Sequence, residues 1–237
     1  MKILIIVGLS LGVLLSGCAQ KPNTLSSSER SDGWELLFNG SSMAGWKGYM
    51  DNKLEDGWSV VDGVMTLKGG APKGSYVNIM TEKEFDDFEL VWDWKIEEGS
   101  NTGLMFHVKE GPKMPYLTGP EYQLLDNEGF RSGKGEPVPP IEYTASHYAI
   151  EEALVDATKP IGDWNTSRIK VVGNDVTYWL NGEKTAEYTM HSEKWKKQIA
   201  GAKFGKWKLF ATTGEGSIAL QDHGHAAYFK NIKVKKL

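Results

Sequence analysis

The sequence holds one cysteine, Cys18, among 237 residues. A single thiol cannot close an intramolecular disulfide, so cysteine usage neither staples the fold nor identifies a redox compartment. A basic excess is also missing. Lys and Arg number 27 against 31 Asp and Glu, a formal net charge of −4. That balance gives no general attraction for nucleic acid or another polyanion, although a local patch is compatible with it. No apolar run reaches the roughly 20 residues that a membrane-spanning helix needs. There is no Walker loop, no His-Glu-x-x-His and no Gly-x-Ser-x-Gly, which removes the commonest signatures of nucleotide hydrolysis, metalloproteolysis and serine hydrolysis. No repeat of 20 to 50 residues is visible, which argues against a solenoid or propeller.

What is present begins with an address. Lys2 precedes an apolar run over residues 3–15, interrupted only by Gly8, Ser10 and Gly12. The run has the length and flank of a secretory signal peptide. It ends in Leu15-Ser16-Gly17-Cys18, which resembles the lipobox of bacterial lipoproteins. The resemblance implies a signal peptide over residues 1–17 and a diacylated Cys18 as the new N-terminus. Each buried CH₂ of such a chain contributes about 0.8 kcal/mol, so several acyl chains make a firm membrane anchor. Residue 19 is Ala and not Asp, and no acidic run follows, which implies sorting to the periplasmic side of the outer membrane. Residues 18–32 are polar, with Pro22 and Ser26-Ser27-Ser28, and are expected to form a flexible tether. The folded domain is expected over residues 33–237.

That domain is rich in aromatics, 11% of the chain with nine Trp, where a disordered chain would be poor in them. Its period is two. Phe88, Leu90, Trp92, Trp94 and Ile96 alternate with Glu89, Val91, Asp93 and Lys95, as in a strand with one face in a core. Asp62-Gly63 separates two such runs and predicts a hairpin. Gly173-Asn174-Asp175 and Asn181-Gly182 predict two more turns. Further strands are expected over 102–108, 121–125, 217–221 and 227–234. One helix is expected, over 192–199, with Ser192 as its cap. Residues 129–140, with Gly133, Gly135, Pro137, Pro139 and Pro140, are expected to be a loop of the kind that often forms a lid. The sum is an all-β sandwich or barrel.

Parity then isolates polar faces. Glu121, Gln123 and Leu125 share one side of their strand, and Tyr122 and Leu124 the other. Ala219, Gln221 and His223 lie opposite Ile218 and Leu220. Asn101, Gly103, Met105 and His107 lie opposite Leu104, Phe106 and Val108. By spacing alone these faces are either an ordinary wet surface or the lining of a groove. Amides, a carboxylate and imidazoles suit sugar hydroxyls, and aromatic rings suit pyranose faces. Trp46, Trp58, Trp164 and Trp179 are the stacking candidates, though each also fits a core. His223 and His225 at i, i+2 are a weak metal signal.

Gly33-Trp34-Glu35-Leu36-Leu37-Phe38-Asn39-Gly40 with Gly45-Trp46, Trp58-Ser59-Val60-Val61-Asp62-Gly63, Asn101-Thr102-Gly103-Leu104, Gly119-Pro120-Glu121-Tyr122-Gln123-Leu124-Leu125-Asp126, Trp179-Leu180-Asn181-Gly182 and Leu220-Gln221-Asp222-His223-Gly224 follow one another in order. Together they resemble the bacterial 3-keto-disaccharide hydrolase family, also described as 3-keto-glucoside lyase and 3-keto-2-hydroxy-glucal hydratase domains. The resemblance covers essentially residues 33–237. It implies a concanavalin A-like jelly roll whose concave sheet carries the site, with Glu121 and His223 as catalytic groups. Asn101, His107, Gln123, Tyr148 and Gln221 are then expected to bind substrate. Where many members have Gly-x-x-Tyr-Asp, this chain has Ala145-Ser146-His147-Tyr148-Ala149, a departure in a loop that would shape the substrate.

The implied chemistry needs a sugar already oxidised at C3 by a partner oxidoreductase. One base takes the acidic C2 proton, the C1 substituent leaves, and water adds back. Glu121 or His223 is the expected base, and Gln123, Gln221 or a divalent cation the expected oxyanion partner. Two other readings stay open: a lectin-like binding module, and an ordinary jelly-roll glycosidase, which would require a second carboxylate.

Overall fold

The computed structural model describes residues 20–237. Cys18 and the signal-like run lie outside the described residues. In chain order the elements are α1 (Ser27–Ser31), β1 (Trp34–Leu36), β2 (Trp46–Gly48), β3 (Trp58–Val61), β4 (Val64–Leu67), β5 (Ile79–Phe85), β6 (Phe88–Ile96), β7 (Asn101–Val108), β8 (Glu121–Leu125), β9 (Asn165–Val172), β10 (Asp175–Leu180), β11 (Glu183–Thr189), α2 (Glu193–Gly201), β12 (Gly216–Leu220) and β13 (Ala227–Lys236). They build two antiparallel sheets. One has eight strands in the order β11-β10-β9-β6-β13-β4-β3, with β1 also paired to β13; the other has five, β2-β5-β12-β7-β8. This is the all-β jelly-roll sandwich that the sequence predicts. No helix among the described residues is long and apolar enough to cross a membrane.

The period-two pattern explains the core. Phe88, Leu90, Trp92, Trp94 and Ile96 of β6 point between the sheets, where they meet Leu104 and Phe106 of β7, Tyr122 and Leu124 of β8, and Ile218 and Leu220 of β12. The predicted turns form where residues tolerate positive φ: Asp62 (49°) with Gly63 (79°), and Asn181 (51°) with Gly182 (94°). Ser192 caps α2 by accepting from the Trp195 amide.

A buried polar chain ties β8 to the larger sheet. Trp94 Nε1 donates to Ser167 Oγ (2.8 Å), Ser167 donates to the Tyr122 hydroxyl (2.9 Å), and Tyr122 donates to the Trp179 carbonyl (3.0 Å). Tyr122→Phe strands a hydroxyl and a carbonyl away from water. The expected loss is about 1–3 kcal/mol of stability, read as a lower urea midpoint with an unchanged slope.

The expected tether is partly folded. Ser26 and Glu29 form a reciprocal capping box that starts α1. Asn23 and Asn231 exchange backbone-to-side-chain bonds in both directions (2.6 and 2.8 Å), and Asn23 Nδ2 donates to the Gly63 carbonyl (2.8 Å). Lys233 donates to Glu29, which with the Ser26 amide holds that carboxyl down at about 2. The folded body therefore includes Asn23, ten residues before Gly33.

Candidate active site

The outer face of the five-stranded sheet carries a cavity of about 240 Å³. That is just below the usual span of small-molecule pockets, about 300–1,000 Å³, and suits a compact ligand. β8 supplies Glu121 and Gln123, β7 supplies Asn101, and the chain leaving β12 supplies Gln221 and His223. Tyr148, from the loop before β9, closes one side. Parity on three neighbouring strands, together with the loop that carries Tyr148, thus brings together the predicted catalytic and substrate-binding residues save His107.

His107 is the exception, and a bulge is the reason. Ser217 pairs with Val108 and Ala219 with Met105, so β7 carries one residue more than β12 between these points. His107 takes up the surplus at φ 53°. Its ring turns into the sandwich, edge-on to Phe88 and Phe106, and Nε2 lies 2.9 Å from the Asp86 carbonyl. It does not line the cavity. A bulge flips side-chain parity, and a strictly alternating reading cannot see it.

Glu121 is the chemically distinctive group. It is 9% exposed, and among the described residues no hydrogen bond offsets the desolvation of its carboxylate. Burial pushes its pKa up to about 7, with the nearby Lys203 ammonium pulling down and Glu142 pushing up. A carboxyl in that range is part base and part acid at neutral pH. Its placement depends on Gly103 of β7. A Cβ there would stand 2.1 Å from Glu121 Oε1 and 2.9 Å from its Cδ. Gly103→Ala should push this flexible side-chain end aside while leaving the strands paired. Displacement of a catalytic group by about 1 Å can cost about 10²-fold in rate, so turnover should fall by that order with an unchanged melting temperature.

Around Glu121 the polar atoms await partners. Asn101 Oδ1 and Gln123 Oε1 are buried with no hydrogen-bond partner among the described residues, and so is His223 Nδ1. Such acceptors normally find one, and a polyhydroxylated ligand supplies several donors. Gln221 is held by its amide on the Gly103 carbonyl (2.9 Å) and by Thr102 donating to its carbonyl (2.6 Å). His223 is stacked between Tyr76 and His225, with Phe130 against its edge. Burial and the neighbouring His225 lower its pKa, which keeps the imidazole neutral. Asp222 beside it is no second acid for the cavity. Its two oxygens accept from the Val77 and Gly224 amides at 2.8 and 2.7 Å.

The aromatic lining differs from the tryptophans named by sequence. Trp46 and Trp58 are in the core, and each donates Nε1 to a backbone carbonyl. Trp164 and Trp179 lie on the outer face of the larger sheet, under Lys230 and Arg168. The cavity is lined instead by Tyr116, Phe204, Trp207 and Phe210. The last three follow α2, where Phe204 stacks on Phe210 with centroids 4.4 Å apart. This segment, and not the loop over 129–140, covers the cavity; of that loop only Phe130 approaches. Lys203, on the same cover, donates to the Tyr148 hydroxyl (3.0 Å) and sits over its ring. The residue as a whole is exposed, yet burial of its ammonium end lowers its pKa, with Glu121 and Glu142 opposing. His147 lies behind the cavity, its ring flat on Tyr188 at 3.7 Å, and burial lowers its pKa against the pull of Glu151.

Among the described residues no group of three or more His, Cys, Asp or Glu converges as metal ligands. The donor set around Glu121 is amides, one neutral imidazole and an ammonium, which does not make a protein cage for a divalent cation. No chemical step is therefore routed through one.

A two-sheet jelly roll with a cavity of amides, aromatic rings and one desolvated carboxylate belongs to the carbohydrate-active sandwich proteins. Within that class the chain is a member of the 3-keto-α-glucoside-1,2-lyase-like domain family, whose model matches residues 33–235. A 3-keto-disaccharide hydrolase of Bacteroides thetaiotaomicron is 30% identical in an alignment of 234 residues that covers 87% of this chain and 79% of that protein. A Parabacteroides distasonis protein of solved structure, provisionally designated a glycosyl hydrolase, superposes with a TM-score of 0.84. It is 36% identical and covers 92% of this chain and 100% of its own. A second from that organism, with the same designation, gives a TM-score of 0.69 at 28% identity over 86% of this chain and 99% of that one.

Proposed function

We propose that the protein cleaves glycosides whose C3 is already a ketone, by elimination followed by hydration. The observation that carries this reading is the lone carboxylate. Among the described residues lining the cavity, Glu121 is the one acid, and it is poised at about 7. An ordinary glycosidase needs two carboxylates flanking the bond. A carbonyl at C3 makes one base sufficient.

Glu121 takes the C2 proton, and the C–H electron pair moves into an enolate with its charge on the C3 oxygen. The pair then returns to form C1=C2 as the C1–O bond breaks. The leaving oxygen keeps the bonding pair and receives a proton, which the Glu121 carboxylic acid is placed to return. Water adds at C1 and a proton at C2, giving the free 3-keto sugar and net hydrolysis. Lys203 and the Tyr148 hydroxyl it donates to are the positively polarised donors for the enolate oxygen. Gln123, Asn101 and Gln221 orient hydroxyls. The ketone must come from a sugar oxidoreductase acting beforehand. Replacing C2–H of a 3-keto-glucoside by deuterium is the test. Slower turnover is expected, and equal rates would argue against proton removal at C2.

The same reading includes export and lipidation at Cys18, with the domain held at the periplasmic side of the outer membrane. Cys18→Ser should lose incorporated palmitate and leave the membrane fraction. Retention there would contradict it.

A further inference from the structure

We infer that the outer face of the eight-stranded sheet is a docking surface for anionic phospholipid headgroups, which turns the cavity away from the membrane; the inference rests on the lipidation of Cys18. The N-terminal segment meets the domain on that face. Gln20, Lys21 and Thr24 share a groove with Leu36, Val91, Asp93, Asn231 and Lys233 on that face. The Asn23–Asn231 exchange and the Glu29–Lys233 pair clamp the segment there. Only Ala19 separates Gln20 from Cys18, a span of two peptide steps. Two extended residues reach about 7 Å. A free tether over 18–32 would have reached about 50 Å and left the domain's orientation open. The docked segment replaces a long leash by a short one, attached to one face.

Charge favours the same face. The protein carries a net −4. Yet the outward positions of β6, β9 and β13 present Lys95, Arg168, Lys170, Lys230, Lys233 and Lys235, against Glu89 and Asp93 on those strands and Glu29 of α1. Asp93 is occupied by Asn231 and Thr166, Glu89 pairs with Arg168 and Glu29 with Lys233. Lys95, Lys170, Lys230 and Lys235 have no carboxylate partner among the described residues. Composition agrees. Trp164 lies under Lys230 at 3.9 Å, Trp179 under Arg168 at 4.3 Å, and Trp34 under Lys233 at 5.6 Å. Half-buried tryptophans among long cationic side chains are the pairing found at headgroup depth, where the ring is amphipathic and the cation meets phosphate. The cavity opens on the outer face of the other sheet, and the core between the sheets separates the two surfaces.

Lysine acetylation on the lipidated full chain tests this. The protein is reconstituted into phosphatidylethanolamine–phosphatidylglycerol vesicles and, separately, into phosphatidylcholine vesicles, then labelled with a soluble acetylating reagent and read by mass spectrometry. Lys95, Lys170, Lys230 and Lys235 should react several-fold more slowly on the anionic vesicles than on the neutral ones, while Lys206 and Lys208 beside the cavity react equally on both. The triple change Lys170→Glu, Lys230→Glu and Lys235→Glu should abolish the protection of Lys95 and leave turnover of a soluble substrate unchanged. Equal labelling of both faces, or protection of Lys206 and Lys208 instead, would overturn the assignment of the face. Equal protection on phosphatidylcholine would overturn the anionic partner. An unlipidated Cys18, read from the intact mass, would overturn the anchored geometry itself.

Discussion

Glu121→Gln should lower turnover by about 10²–10⁴-fold, the usual contribution of a positioned base, and leave substrate affinity nearly unchanged. The amide keeps the shape and the hydrogen-bonding reach of the carboxylate and cannot accept the C2 proton. In the native protein kcat/KM should rise as the pH passes through about 7, because the base form appears there. The rise should vanish in the variant. Stability should move the opposite way. A carboxyl whose folded pKa stands above its unfolded value contributes stability that is complete below the unfolded value, near 4.5, and lost as pH rises through about 7. At pH 8 the native carboxylate is buried and charged, and Gln is neutral. The variant should therefore be more stable there, on the order of 3 kcal/mol, and close to the native protein at pH 4. Less activity with more stability is the pattern of a functional group held against its own preference.

Lys203→Met is the second large effect. It removes the ammonium that donates to Tyr148 and pulls on the charge of Glu121. Loss of a preorganised donor to a developing oxyanion typically costs about 10²–10³ in kcat. The methionine keeps the apolar stem against the Tyr148 ring, so the cover should still close. A second readout separates catalysis from packing. Lys203 pulls the Glu121 pKa down, so its loss should move the activity midpoint to higher pH. A slower enzyme with an unmoved midpoint would mean that the lysine acts only by holding the cover.

The sheet half of the site was legible because a strand has a strict period. Once Tyr122 and Leu124 are assigned to the core, Glu121 and Gln123 must share the other face. The same logic carried Asn101 and Gln221. It failed at His107, where β7 gains a residue, and β5 was not read as a strand, because its buried and exposed positions do not alternate. The cover was not legible. Phe204, Trp207 and Phe210 follow a helix in a segment with no sustained period, and nothing local says that they fold back over a sheet formed by residues a hundred positions earlier. Their spacing of three was the available hint. Lys203 had no hint at all. The segment over 18–32 held a signal that composition masked: Ser26-x-x-Glu29 is a capping box, and three serines in a row made it look like a linker. The cavity's dependence on Gly103 also needs three dimensions, since what matters there is a missing Cβ across a strand pair.

The central claim is that one carboxylate suffices because the substrate arrives oxidised. The most direct measurement is to give the purified protein a 3-keto-disaccharide and, in parallel, its unoxidised parent, and to follow release of the monosaccharides. Rapid cleavage of the keto sugar, dependent on Glu121, with no measurable cleavage of the parent, is the predicted result. Cleavage of the parent at a comparable rate, or no cleavage of either, would contradict the account.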